Sequence, residues 1–191
     1  MTRAALPEMR SEGDRSMARP AIETLIKTLL ESGPPHLKDP YPEPADHNKP
    51  HGRLQAARGK SVPSGPGDPH PQGRALDIIL FASDGYDKFI ADQLVEAFLD
   101  QRTTMKWAAV IYNQKEWNSA GAWMPRVLTP EVRKKILEKR KAAGDTNTVI
   151  DKVAFEHLTH IHIEWGNANA DLTSFAAALA ERLKKVYDTG Y

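Results

Sequence analysis

Two segments far apart in the chain carry side chains suited to holding a divalent metal. The first, His70-Pro71-Gln72-Gly73-Arg74-Ala75-Leu76-Asp77, sets a carboxylate seven residues after a histidine. The second, His157-Leu158-Thr159-His160-Ile161-His162-Ile163-Glu164-Trp165, gathers three of the chain's seven histidines within six positions. Imidazole nitrogens and carboxylate oxygens are the donors that zinc accepts when no thiolate is present. Three protein ligands with a further position left open is the pattern of a catalytic zinc site, whereas structural sites use four.

Each residue also has a plainer reading. Asp77 sits in an apolar run, Leu76 before it and Ile78-Ile79-Leu80-Phe81 after it, so it is expected to be buried. A buried carboxylate must be paired or ligated; a salt bridge to Arg74 or to another cation is the alternative to a metal. His70 lies between Pro69 and Pro71, which hold the chain extended, and Gly73 permits a tight turn into the strand that begins at residue 74. Taken alone, His70 reads as a loop histidine facing solvent. His160 and His162 are two apart on an alternating stretch, so on a strand their rings share one face while Ile161 and Ile163 take the other. A hydrogen-bonded core pair is the alternative there.

The elements that must position these residues can be read from apolar periodicity. Residues 20–31 read as an amphipathic helix with Pro20 at its first position and Ile22, Leu25, Ile26, Leu29 and Leu30 on one face, stopped by Gly33-Pro34. Residues 34–71 hold ten of the fourteen prolines and show no sustained period; the second half, from about Lys49, reads as loop around a cleft. Strands are expected at 74–81, 106–113 and 158–165. Helices are expected at 86–101, at 130–143 with Val132, Ile136 and Leu137 inward, and at 171–187. The stretch 114–125 reads as loop. The fold class is α+β, a small antiparallel sheet with flanking helices. The layout is a flexible N-terminus at 1–19, a helix and Pro-rich linker at 20–48, and one metal-bearing domain at 49–191.

Composition excludes several classes. With 26 Lys+Arg against 25 Asp+Glu, the chain as a whole is not built to grip nucleic acid. The basic run Arg133–Lys141 reads as a solvated helix face, with attraction to an anionic wall polymer as its functional alternative. No apolar run approaches the ~20 residues of a membrane span. The absence of cysteine removes disulfides, thiolate metal sites and thiol nucleophiles. The segment Met1-Thr2-Arg3-Ala4-Ala5-Leu6-Pro7 has no apolar region behind it, so no Sec-type signal peptide is expected.

His70-x-x-Gly73-x-Ala75-x-Asp77 followed by His160-x-His162 resembles the zinc D-alanyl-D-alanine carboxypeptidase and L-alanyl-D-glutamate endopeptidase family, within the wider lysostaphin, D-Ala-D-Ala peptidase and hedgehog superfamily. The resemblance spans roughly residues 50–165. It implies a hedgehog-like or D-Ala-D-Ala peptidase-like fold, a Zn2+ cofactor held by His70, Asp77 and His162, and hydrolysis of D-amino-acid-containing peptide bonds of peptidoglycan. It also implies a general base three residues before the last zinc histidine, where this chain carries Thr159. His160, then His157, then Glu156 are the substitutes in order of expectation. The family's upstream arginine corresponds to Arg53 or Arg58, and relatives often carry serine where Asp68 stands. Trp117 and Trp123, with Trp107 and Tyr112, are candidates to line a substrate cleft, Trp107 being expected in the core instead. With no exporting signal, the expected route to the wall is release or dedicated export.

Two other classes compete. A member that keeps the metal and loses catalysis is a binding module, which Thr159 favours. A two-histidine phosphoesterase needs a second His-x-Thr/Ser beside His157-Leu158-Thr159, and the chain has none. A nuclease reading of Asp46-His47-Asn48 lacks the flanking strand and helix.

Overall fold

The structure is a computed structural model describing residues 18–39, 53–56 and 69–187. The expectations for residues 1–17 and for Asp46, His47, Asn48, Arg58 and Asp68 lie outside the described residues. Among the described residues, six strands form one antiparallel sheet: β1 (Leu54–Ala56), β2 (Ala75–Ile79), β3 (Ala109–Tyr112), β4 (Lys115–Asn118), β5 (Trp123–Pro125) and β6 (His160–Glu164), in the order β1-β2-β6-β3-β4-β5. The helices are α1 (Pro20–Ser32), α2 (Gly85–Asp100), α3 (Arg102–Met105), α4 (Pro130–Ala142), α5 (Lys152–Phe155) and α6 (Ala176–Tyr187). The α+β class expected from the sequence is the observed one.

Strand alternation sorts the sheet into two unlike faces. Leu76 and Ile78 of β2, Ile161 and Ile163 of β6, and Val110 and Tyr112 of β3 join the main apolar core. That core is completed by Ile22, Leu25 and Leu29 of α1, Ile90, Leu94 and Phe98 of α2, and Leu179 and Leu183 of α6. The helix at 20–32 therefore belongs to the same packed unit as the sheet. The intervening strand positions, Asp77, His160, His162 and Glu164, point away from these helices and leave one face of the sheet to carry polar side chains. Ile79 and Ile111 are buried on that face yet stand outside the main core.

Local chemistry explains the element ends. Pro20 and Pro130 occupy the first turns of α1 and α4, where a missing N–H costs nothing. The Asp84 carboxylate accepts from Tyr86 N–H and Asp87 N–H, capping α2. Gly73 adopts φ 65°, a left-handed conformation open to glycine without a Cβ clash, and closes the 3-10 turn His70–Gln72 just ahead of β2.

Three expectations need correction. Residues 114–125 hold β4 and β5 rather than loop. Asn113 and Gln114, with φ 45° and 66°, make a two-residue turn of the type that matches strand twist, formed here without the glycine that signals it in a sequence. The Pro-rich stretch contains β1, three residues long and too short to show a period. None of α4 is buried; Val132, Ile136 and Leu137, expected to face inward, are only half-covered. Among the described residues, no helix is long and apolar enough to cross a membrane.

Candidate metal centre

β2 and β6 pair so that Asp77 stands directly opposite His162, with His160 opposite Ile79. Period-2 alternation then places Asp77, His160 and His162 on the same face. His70 arrives from the 3-10 turn before β2. Its Nε2 lies 3.2 Å from the Asp77 Oδ1 and 3.2 Å from the His162 Nδ1, and that Nδ1 lies 2.9 Å from the same Oδ1. Three donor atoms thus form a nearly equilateral triangle. Tetrahedral zinc with bonds of ~2.0–2.1 Å sets its ligand atoms about 3.3 Å apart. His70, Asp77 and His162 are the group of described residues able to hold a metal ion together.

The triangle is sheltered: Asp77 is 4% exposed and His162 7%. Burial by itself would raise the Asp77 carboxyl, but hydrogen bonds from His162 and His70, with the charges of His160 and His70, hold it well below the usual carboxylate range. Burial would likewise lower His162, and the hydrogen bonds and charges of Asp77 and Glu164 overcome it, raising the ring to about 9. Arg74 is not the partner of Asp77, and the cation that Asp77 meets is the charged His162 ring. The Arg74 guanidinium donates instead to the Gln72 side chain and the Trp165 carbonyl.

His160 and His157 border the triangle. The His160 Nε2 lies 3.8 Å from the Asp77 Oδ1, and its Nδ1 lies 3.1 Å from the Thr159 hydroxyl. His157 precedes the strand, but its backbone turns left-handed at φ 51°, and its ring centroid comes within 4.6 Å of His160 and 5.5 Å of His162. That conformation is uncommon for a side-chain-bearing residue and needs outside support. The β3–β4 turn supplies it: Asn113 N–H donates to the His157 carbonyl and Gln114 N–H to the Glu156 carbonyl. The same turn thereby holds the loop that delivers His157. Burial, with the charges of His160, His162 and Arg126, pushes His157 down to about 3.

Other expected site residues are placed elsewhere. Glu156 is fully buried and accepts from Leu128 N–H, the Gln114 amide and the Lys152 ammonium, which binds it into the loop framework away from the triangle. Arg53 is buried too, donating to the Ile79 carbonyl and to Asp87 at 2.9 Å. Asp87 also meets the His36 Nε2 at 2.6 Å and accepts from Phe81 N–H. Arg53 therefore anchors β1 to α2. Trp117 and Trp123 pair with each other across β4 and β5, and Trp117 pairs with Val110 of the core face. Register places both on the face turned away from Asp77 and His162, where Trp117 packs against the core and Trp123 is 59% exposed. Trp107 is core, as expected, its indole N–H donating to the Phe98 carbonyl.

Glu164 is a contact that the sequence motifs did not single out. Its Oε2 lies 3.2 Å from the His162 Nε2, the ring nitrogen that the triangle does not use. The hydrogen bond to His162 holds the Glu164 carboxyl below its ordinary range against the effect of burial. The continued alternation His160-x-His162-x-Glu164 was a signal for it.

A family model described as VldE, C-terminal domain matches residues 50–127. The match covers less than half of the chain and includes His70 and Asp77 but ends before β6. No curated protein and no solved structure matches the chain.

Proposed function

We propose that this chain is a zinc-dependent peptidase acting on the D-amino-acid-containing peptides of bacterial peptidoglycan. The single observation behind the metal is the His70–Asp77–His162 triangle, with donor atoms near the spacing of tetrahedral zinc ligands. Two nitrogens and one carboxylate oxygen make a borderline donor set that suits zinc over the hard cations calcium and magnesium. The substrate class is carried by the motif resemblance alone. Delivery to the wall by release or export is part of the same proposal.

Zinc held there would polarise a scissile carbonyl and lower the pKa of water towards ~7. The chain's own residues would do the rest. The Thr159 hydroxyl lies 3.1 Å from the His160 Nδ1, which leaves Nε2 turned towards Asp77 and the metal position. On this reading His160 Nε2 would take a proton from the attacking water and return it to the leaving amine. His157 has its Nδ1 3.0 Å from the Phe155 carbonyl, so that nitrogen carries the proton and donates. A ring pushed down to about 3 stays neutral and is a weak base, so His157 suits a role in packing and orienting His160.

One observation favours a second reading. Thr159 stands where relatives place an acid, and its hydroxyl is directed to the His160 ring. A metal-containing binding module without turnover fits this equally. Digestion of purified peptidoglycan, with products resolved by mass with and without chelator, separates the two. New amine and carboxyl ends that vanish with chelator support the peptidase. Intact peptide together with retained zinc supports the binding module, and no zinc at all removes both.

A further inference from the structure

His162 has two ring nitrogens, and the fold uses both. Nδ1 faces the triangle, 2.9 Å from the Asp77 Oδ1 and 3.2 Å from the His70 Nε2. Nε2 lies 3.2 Å from the Glu164 Oε2. A histidine that ligates through one nitrogen has its tautomer fixed by what the other nitrogen meets. Resting on the metal reading of the site, the geometry points to Glu164 as the positioning residue that commits His162 to ligation through Nδ1, by accepting a hydrogen bond from Nε2–H.

The backbone supports this assignment. Glu164 is two residues beyond His162 on the same strand, so its side chain rises from the same face. Its backbone is held between two neighbours, paired with Ala75 of β2 and Ala109 of β3. The next residue, Trp165, is fully buried and donates its indole N–H to the Met105 carbonyl. The strand carrying both residues therefore cannot slide without disrupting the core. The Glu164 carboxylate is engaged with His162 at Nε2, the ring nitrogen that the triangle does not use.

Zinc titration of the full chain against a chelating dye, in the wild type and in Glu164→Ala and Glu164→Gln, tests this without reference to turnover. Loss of a carboxylate behind a metal histidine commonly costs ~10–100-fold in affinity. Glu164→Ala should show a loss of about that size. Glu164→Gln should lose less, because the amide carbonyl still accepts from Nε2. Nitrogen-15 NMR of the zinc-loaded wild type should find His162 protonated at Nε2 and ligated at Nδ1. Unchanged affinity in Glu164→Ala, or a zinc-loaded His162 protonated at Nδ1, overturns the role of Glu164 and leaves the metal site standing. A wild type that binds no zinc overturns the metal reading and this inference with it. Thermal melts of the metal-free variants guard against a folding defect, and if Glu164→Ala is unfolded, the conservative Gln variant and the NMR assignment decide.

Discussion

Asp77 and His162 face each other across the β2–β6 pair, with the Asp77 Oδ1 2.9 Å from the His162 Nδ1. One residue lies just beyond the turn that His70 opens, and the other comes 85 positions later on the neighbouring strand. Their meeting turns a loop histidine and two strand residues into a single donor triangle able to hold a metal ion.

The chain should bind one zinc ion, and His162→Ala or Asp77→Ala should lose it on dialysis, read by elemental analysis. Binding should also release protons. Metal-free His162 is raised to about 9, so its ring is charged at pH 7, and a ligating ring must be neutral. Affinity should therefore climb as pH rises towards about 9 and level off above it. Calorimetry in buffers of different ionisation enthalpy measures the proton count. The same shift makes the charged ring a stabilising group in the metal-free fold. That contribution is complete below the unfolded value of ~6.5 and is lost as pH rises through about 9. A zinc-bound wild type that releases no proton at pH 7 contradicts the assignment of His162.

Replacing His160 with alanine should keep zinc and lower peptide turnover by roughly 10²–10⁴-fold, the usual worth of a positioned general base. His157→Ala should cost less, since His157 is held neutral and is a weak proton acceptor. Steady-state kinetics with zinc content measured on the same samples checks both. Wild-type turnover in zinc-loaded His160→Ala would remove it as the base.

Glu156 should matter for folding and not for chemistry. Glu156→Ala strips the acceptor from Leu128 N–H and from the Gln114 amide, and groups left buried without a partner cost about 1–3 kcal/mol. A lower melting temperature with unchanged zinc binding is the expected result. Unaltered stability together with lost turnover would restore Glu156 as a candidate base.

Arg53→Ala should destabilise the fold by about 3 kcal/mol, because it leaves the buried Asp87 carboxylate without its guanidinium. His36 and Phe81 N–H still hold Asp87, which keeps the loss at the lower end for a broken buried pair. Denaturant titration of Arg53→Ala, Asp87→Ala and the double variant should reveal strong coupling. Purely additive effects would mean that Arg53 works elsewhere.

The sequence by itself determined which side chains could hold a metal and that two of them share a face. Donor types are read directly from residue identity, and strand alternation puts His160 and His162 on one side whatever the rest of the chain does. It also settled α1, because five apolar residues at helical spacing leave little choice, and the turn at Gly73. Tertiary structure decided the rest, because each remaining question turned on a partner distant in sequence. Asp87, 34 positions away, occupies the Arg53 guanidinium. The β3–β4 turn holds His157 in a left-handed conformation and brings its ring beside His160. Sheet register, set by pairing with Val110 and not by the tryptophans' own pattern, turns Trp117 and Trp123 to the far face. Composition and local period determine what a residue can do; only long-range packing fixes which of its neighbours will let it.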